Sequence, residues 1–531
     1  MLLALLVTVV LPLIALWYWY RDPPGVPPGP RRVPILGSVP FLPKACRVNR
    51  GLHIPHLFKH LSATFGPVTR VFLGPVPVAV ISDLDVLREA FKKDEVTDRP
   101  PMRPFHEFRY GDAHGGQRGV ILSSGREWQE QRRFCLRQLR DLGFGRSGME
   151  AQILEEVAKL CANLRAESEA APRIDLNFKL NISIVNSLWL IMAGKSFELG
   201  DPELLRVVKA LDAVLRGAQF SSLASTLFPG LYKRFSPRFT VAKDGFDRMK
   251  AIMREAIDEH AASFDPAAEH RDFIDVYLHE IAASRPGSSF HGARGLESLE
   301  CVLVDLFMGG SETTSITLIW TFLFLLHHPE AQERLHQELH GVFGDCPDRF
   351  PTLEDMNRLP YTKAVMWETL RVSSVVPNGV PHYVTRGTWL HKPGAEGEGP
   401  GDYFLPKGTT VMGSVILSHL NPDLWDDPET FRPSRFLEPE TGTFRNPHPT
   451  KFAPFSVGKR YCLGQSLAEQ EYFLFLAGLL SRFRVANPSG QTLPPYRFSE
   501  DFKNTGFVRY APAYDVTLVA KDSKKAFVPF G

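Results

Sequence analysis

The chain of 531 residues is long enough for about three or four ordinary domains or for one large one. Its 44% hydrophobic and 11% aromatic content, without a long polar or repetitive tract, excludes a disordered protein and supplies an extensive core. A net charge of +2 with acids and bases interspersed leaves no footprint for a phosphate backbone, which excludes nucleic acid as a partner; six scattered cysteines without a CxxC pair exclude a disulfide framework and fit a reducing compartment.

Residues 1–20, MLLALLVTVVLPLIALWYWY, carry no charge and match a helix crossing a hydrocarbon core of about 30 Å. The run ends in Trp17, Tyr18, Trp19 and Tyr20 rather than in the small residues of a cleavage site, so a retained membrane anchor is expected. Residues 21–50 then hold Arg21, Arg31, Arg32, Lys44, Arg47 and Arg50 against Asp22, an excess that leaves the body cytoplasmic. In residues 21–44, PPGVPPGPRRVP predicts a stiff proline-rich linker. Residues 45–531 show no second linker or repeat, which predicts one large catalytic domain.

Within it, VTRVFLG and VPVAVIS read as strands, and helical patterns dominate from Arg126 to Phe343. The expected class is mainly α with a small β-sheet subdomain. LECVLVDLFMGGSETTSITLIWTFLFLLHHP is long enough to span a membrane, but Asp305, Glu312 and the Gly309-Gly310 pair predict a core helix beside a cavity instead. The glycine-rich stretch 391–401 predicts a surface loop.

Near the C-terminus FSVGKRYCLG sets Cys462 between Gly458 and Gly464, two residues after Arg460 and just before the helical pattern LAEQEYFLFLAGLL. Cys462 is either a small buried hydrophobe or a thiolate favoured by a cation and a helix N-terminus. One cysteine does not build a tetrahedral zinc site, whereas haem iron needs a single axial thiolate.

This stretch resembles the haem-binding signature of the cytochrome P-450 superfamily at every fixed position, from Phe455 through Gly458 and Arg460 to Cys462 and Gly464. The resemblance implies a cytochrome P-450 fold behind an N-terminal transmembrane helix, and haem b with Cys462 as the axial metal ligand and Phe455 beside it. Three further motifs match in order. ETLR implies a structural network of Glu368 and Arg371 with Arg435 of FRPSRF. GGSETT implies an acid and alcohol, Glu312 and Thr313, that relay protons beside the haem. WQEQRR implies that Trp128 and Arg132 hold haem propionates together with His382 and Arg460.

Substrate-facing positions implied by the resemblance are Phe105, Phe108, Asp305, Gly309, Val376, Val380 and Phe507. Arg133, Arg137 and Arg140 form a basic stripe that reads equally as a docking face for an acidic electron donor or as a solvated helix face. The anchor and motifs resemble the microsomal clan of vertebrate drug- and steroid-oxidising enzymes and arthropod members. The implied function is an endoplasmic-reticulum monooxygenase facing the cytosol. It hydroxylates or epoxidises a lipophilic substrate (xenobiotic, sesquiterpenoid, steroid or fatty acid) with O2 and electrons from NADPH, through a flavoprotein reductase and with cytochrome b5 as a second donor. The rivals are a reductase-independent haem-thiolate isomerase or dehydratase, and a non-catalytic haem protein that binds ligands. Gly309 stands where alanine is typical of the family, which bears on substrate shape.

Overall fold

The computed structural model describes residues 22–48, 51–101, 108–111, 117–141, 147–217, 229–344, 349–391, 402–500 and 507–521. The expected anchor, Phe105 and residues 392–401 of the expected loop lie outside the described residues.

Strands β1 (Val68–Leu73), β2 (Val76–Ile81), β3 (His382–Tyr383) and β4 (Thr410–Gly413) form one sheet in the order β1-β2-β4-β3. β1 and β2 are the two apolar runs expected as strands, joined by the tight turn at Gly74 and paired antiparallel from Val68 with Ile81 to Leu73 with Val76. β2 then pairs in parallel with β4, Val78 opposite Thr410. A parallel pair needs a crossover, and here most of the helical body is that crossover. Val78, Ala79, Val80 and Ile81 are all buried, the pattern of a strand covered on both faces.

Among the described residues the helices of nine or more residues follow the expected stretch and extend beyond it. They are α1 (Ile54–Phe65), α2 (Leu84–Lys92), α3 (Gly125–Asp141), α4 (Ser147–Ala170), α5 (Leu176–Ala193), α6 (Pro202–Gly217), α7 (Pro237–Ala262), α8 (Phe273–Ala283), α9 (Gly292–His327), α10 (Pro329–Phe343), α11 (Pro360–Ser373) and α12 (Gln465–Arg482). Local chemistry sets several boundaries. Asp83 accepts the Asp85 and Val86 N–H groups ahead of α2, and Asp175 accepts that of Asn177 ahead of α5. Gly194 ends α5 in the left-handed region.

α5 and α9 are both long and apolar enough to cross a membrane, yet 78% and 72% of their apolar windows are buried in protein. They are core helices, as expected for α9, and they pack against each other. A Cβ at Gly310 would come within 3.0 Å of the Leu188 side chain of α5, so the second glycine of the pair permits this approach.

The proline-rich segment is docked as well as stiff. Arg70 N–H donates to the Pro28 carbonyl, Phe404 N–H to that of Gly25, and Asp22 pairs with Arg32 and Arg70. Residues 22–44 are thus tied to the sheet rather than serving only as a connector.

Candidate functional site

The loop before α12 is pressed against the end of α2. Gly458 has φ +77°, and a Cβ there would sit 2.5 Å from Phe91 Cβ and closer still to its carbonyl oxygen. Only glycine meets both demands. The loop closes where Cys462 N–H donates to Phe455 O at 2.9 Å, which brings the two signature residues together. Gly464 differs: it flanks α12 at φ −93°, and among the described residues no atom lies within 4 Å of its Cβ position.

Cys462 is half-buried, whereas Cys46, Cys135, Cys161 and Cys301 are buried. Burial pushes the Cys161 and Cys301 thiols up to about 12. It also raises that of Cys462, but there the Gly464 N–H and the charge of Arg132 act the other way. Among the described cysteines Cys462 alone is partly open and backed by a helix N-terminus and a cation.

Beside this loop three guanidinium groups converge. Arg460 lies 4.1 Å above the Trp128 ring and donates to Thr97 O (2.8 Å) and Ser123 O (2.7 Å). Arg132 donates to Tyr461 O (2.7 Å). Arg99 donates to the carbonyls of Ile121, Val380 and Pro381. Burial, then repulsion from Arg132, lowers Arg99 to about 9; burial, then repulsion from Arg99, lowers Arg460 to about 8. Among the described residues none of the three has a carboxylate ion-pair partner, and Trp128 Nε1 is buried without a hydrogen bond. Buried unpaired cations are costly, so a cluster of three with an idle donor fits an anionic group. Haem b carries two carboxylates, and the residues present fit it. Arg99 escaped the sequence reading because TDRPP has no spacing that marks its arginine.

His382, expected as a further propionate partner, is buried and stacked on Phe91 at 3.7 Å, with Nδ1 bonded to Val96 O at 2.7 Å. Burial, then repulsion from Arg99, holds it well below the usual histidine range. In the neutral form with Nδ1–H on Val96, Nε2 is an acceptor, so His382 donates to a carboxylate only after taking a second proton.

On α9, Gly309 is exposed toward open space, and its Cβ position has Ile121 Cδ1 as the nearest protein atom, at 3.9 Å. Thr313 Oγ1 donates to Gly309 O at 2.8 Å. The Glu312 carboxylate accepts from Asn181 Nδ2 of α5 at 2.9 Å. Neither Ile121 nor Asn181 stands in a motif, so only packing could reveal them.

Two substrate-facing expectations are corrected. Asp305 is buried and accepts from Arg109 (2.6 Å) and from the N–H groups of Val120 (2.7 Å) and Ile121 (2.9 Å), so its oxygens are engaged within the protein. Phe108 is 2% exposed and packs on Phe239 and Phe246 of α7, with ring centroids 5.2 and 5.4 Å away. It belongs to the core because an aromatic ring gains most by full burial. Val376 and Val380 are half-buried and Phe507 is exposed; Arg509 N–H donates to Val375 O, which holds the last of these segments against the first.

The ETLR pair forms a network. Arg371 makes two 2.7 Å bonds to Glu368, both residues fully buried, and Arg435 Nε adds a 3.3 Å contact to the same carboxylate. Arg371 also donates to the His419 and Pro428 carbonyls, fastening the chain ahead of the cysteine loop to α11. Arg133, Arg137 and Arg140 are exposed on α3, with Arg137 3.7 Å from Glu280.

The cytochrome P-450 family model matches residues 27–517. Cytochrome P-450 2J2 of Homo sapiens is 34% identical over 495 residues, covering 92% of this chain and 91% of its own. Cytochrome P-450 18a1 of Drosophila melanogaster is 33% identical over 502 residues (91% and 87%), and cytochrome P-450 2L1 of Panulirus argus 31% over 482 residues (89% and 91%). The chain belongs to the cytochrome P-450 family and with it is a haem-thiolate monooxygenase supplied with electrons from NADPH through a reductase.

Proposed function

We propose that Cys462 would provide the thiolate that holds the haem iron, that Arg99, Arg132, Arg460 and Trp128 Nε1 would receive the haem carboxylates, and that the enzyme hydroxylates or epoxidises a lipophilic substrate. The observation that carries the reading is the half-open Cys462 thiol beside three buried guanidiniums that lack carboxylate ion-pair partners among the described residues. When bound, the haem supplies reductive activation of O2, one atom of which enters the substrate while the other leaves as water.

Formation of that water consumes two protons. The Thr313 hydroxyl can hand on a proton and accept another from behind, and Glu312, the preceding residue on α9, is the acid that replenishes it. At rest the hydroxyl is bonded to the Gly309 carbonyl and must turn away to donate elsewhere. Ile121, Val376 and Val380 offer apolar surface that excludes water and favours an apolar ligand. The exposed Arg133, Arg137 and Arg140 suit the acidic face of a flavoprotein reductase or of cytochrome b5. Residues 1–20 would hold the enzyme on the endoplasmic reticulum with this face toward the cytosol.

Cys462→Ala tests the ligand assignment. The variant is expected to lose the thiolate-type spectrum of the reduced carbon monoxide complex, and persistence of that spectrum would overturn the assignment. Product that forms only with NADPH, O2 and a reductase supports the reaction class; turnover without a reductase points to an isomerase, and no turnover to a binding protein.

A further inference from the structure

The Glu312 carboxylate does not stand alone in the protein. Across the seam between α5 and α9, Asn181 is buried and donates Nδ2 to Glu312 Oε1 at 2.9 Å. The same nitrogen lies 3.5 Å from Ser315 Oγ, and Ser315 in turn donates to the Glu312 carbonyl at 3.1 Å. Asn181 Oδ1, by contrast, is buried with no hydrogen-bond partner among the described residues. A buried amide oxygen left idle is costly, and an amide is the one neutral side-chain group that offers a donor and an acceptor of nearly equal shape.

We propose that Asn181 is a positioning residue for Glu312. Its amide donates through Nδ2 to the ionised carboxylate and, after a half-turn, accepts through Oδ1 from the protonated acid. Resting on the reading of Glu312 as the relay acid, the proposal explains how one carboxyl in an almost dry seam is held in both states through which a relay must pass. Each proton that Glu312 gives up toward Thr313 is replaced by one from water, and Asn181 exchanges none.

The geometry gives the amide leverage over the acid. A bond from a buried donor to an ionised carboxylate is roughly twice as strong as one between neutral groups, so its loss favours the protonated acid. Ser315 touches the backbone of Glu312 and fixes the helix rather than the charge. An alanine or leucine at position 181 would leave the carboxyl in the seam without this donor. An aspartate would set a second carboxylate there and push in the same direction harder.

The test is infrared titration of the haem-loaded full-length protein, following the C=O stretch of the Glu312 acid, identified as the band that Glu312→Gln removes. Asn181→Leu is expected to move the midpoint of that band upward by about one pH unit, a tenfold change in ionisation, and Asn181→Asp further. The pH profile of product formed per NADPH consumed should move the same way. An unchanged midpoint in variants that keep the normal carbon monoxide spectrum overturns the proposal. If Asn181→Leu does not assemble, Asn181→Asp, nearly identical in shape, reads the same midpoint. Should Glu312→Gln leave product yield untouched, the relay reading fails by itself, and a shifted midpoint would still place Asn181 as the group that holds Glu312.

Discussion

Gly458 and Phe91 meet backbone to backbone: a Cβ added to Gly458 would lie 2.5 Å from Phe91 Cβ and nearer still to its carbonyl oxygen, on a residue with φ +77°. The left-handed backbone alone costs a non-glycine residue about 1–2 kcal/mol, and backbone atoms, unlike a flexible side chain, cannot swing aside. Gly458→Ala should therefore displace the cysteine loop from α2. Haem retention during gel filtration and the melting temperature should both fall, and a variant that keeps both would show that the loop is not held by this contact.

Asp305 and Arg109 form a buried ion pair, and Asp305 also accepts two backbone N–H groups from the segment carrying Ile121. Breaking a buried pair by removing one partner costs about 3–5 kcal/mol, because the other charge stays buried. Asp305→Ala should lower the melting temperature by several degrees. It should also weaken the Soret shift produced by apolar ligands, since Ile121 would lose its anchor. A lowered melting temperature with unaltered ligand shifts would confine Asp305 to stability.

At Gly309 the open space accepts a methyl group, with Ile121 Cδ1 3.9 Å away. Replacing a mid-helix glycine by alanine favours the helix by about 1 kcal/mol. Gly309→Ala should melt no lower than the parent and should change the proportions of products, because the methyl takes up room beside Ile121. Identical product ratios would remove Gly309 from the substrate-facing set.

Glu471 on α12 is fully buried, both its carboxyl oxygens lack a hydrogen-bond partner among the described residues, and burial holds its pKa well above the ordinary 4.5. The folded state therefore keeps a proton that the unfolded chain releases. The stability linked to that proton is fully present below 4.5 and is lost as pH rises through the folded value. Glu471→Leu removes both this loss and the unmet hydrogen bonds, and should stabilise the protein by about 1–3 kcal/mol at neutral pH. Melting curves from pH 5 to 9 check this: the gap between variant and parent should widen with pH, and a constant gap would contradict it.

Much of the site was legible as spacing. Cys462, the ETLR pair and the Trp128/Arg132 pair each sit in a fixed short-range pattern, and residues close in sequence on one helix or loop have little freedom to separate. α9 was legible as a core helix because charges inside an apolar run rule out lipid. Arg99, Ile121 and Asn181 were not legible, since each acquires its role from a partner far away in the chain.

Sequence by itself determined the family signature, the helical period of the body and the glycine, Gly458, that lets the cysteine loop turn. Tertiary structure alone decided that Asp305 is spent on Arg109, that Phe108 is core, and that a third arginine joins the cluster beside Cys462. The physical reason is that a charge or ring has a use only when its surroundings are known: the same carboxylate is a substrate contact beside a cavity and a structural pin beside a buried guanidinium.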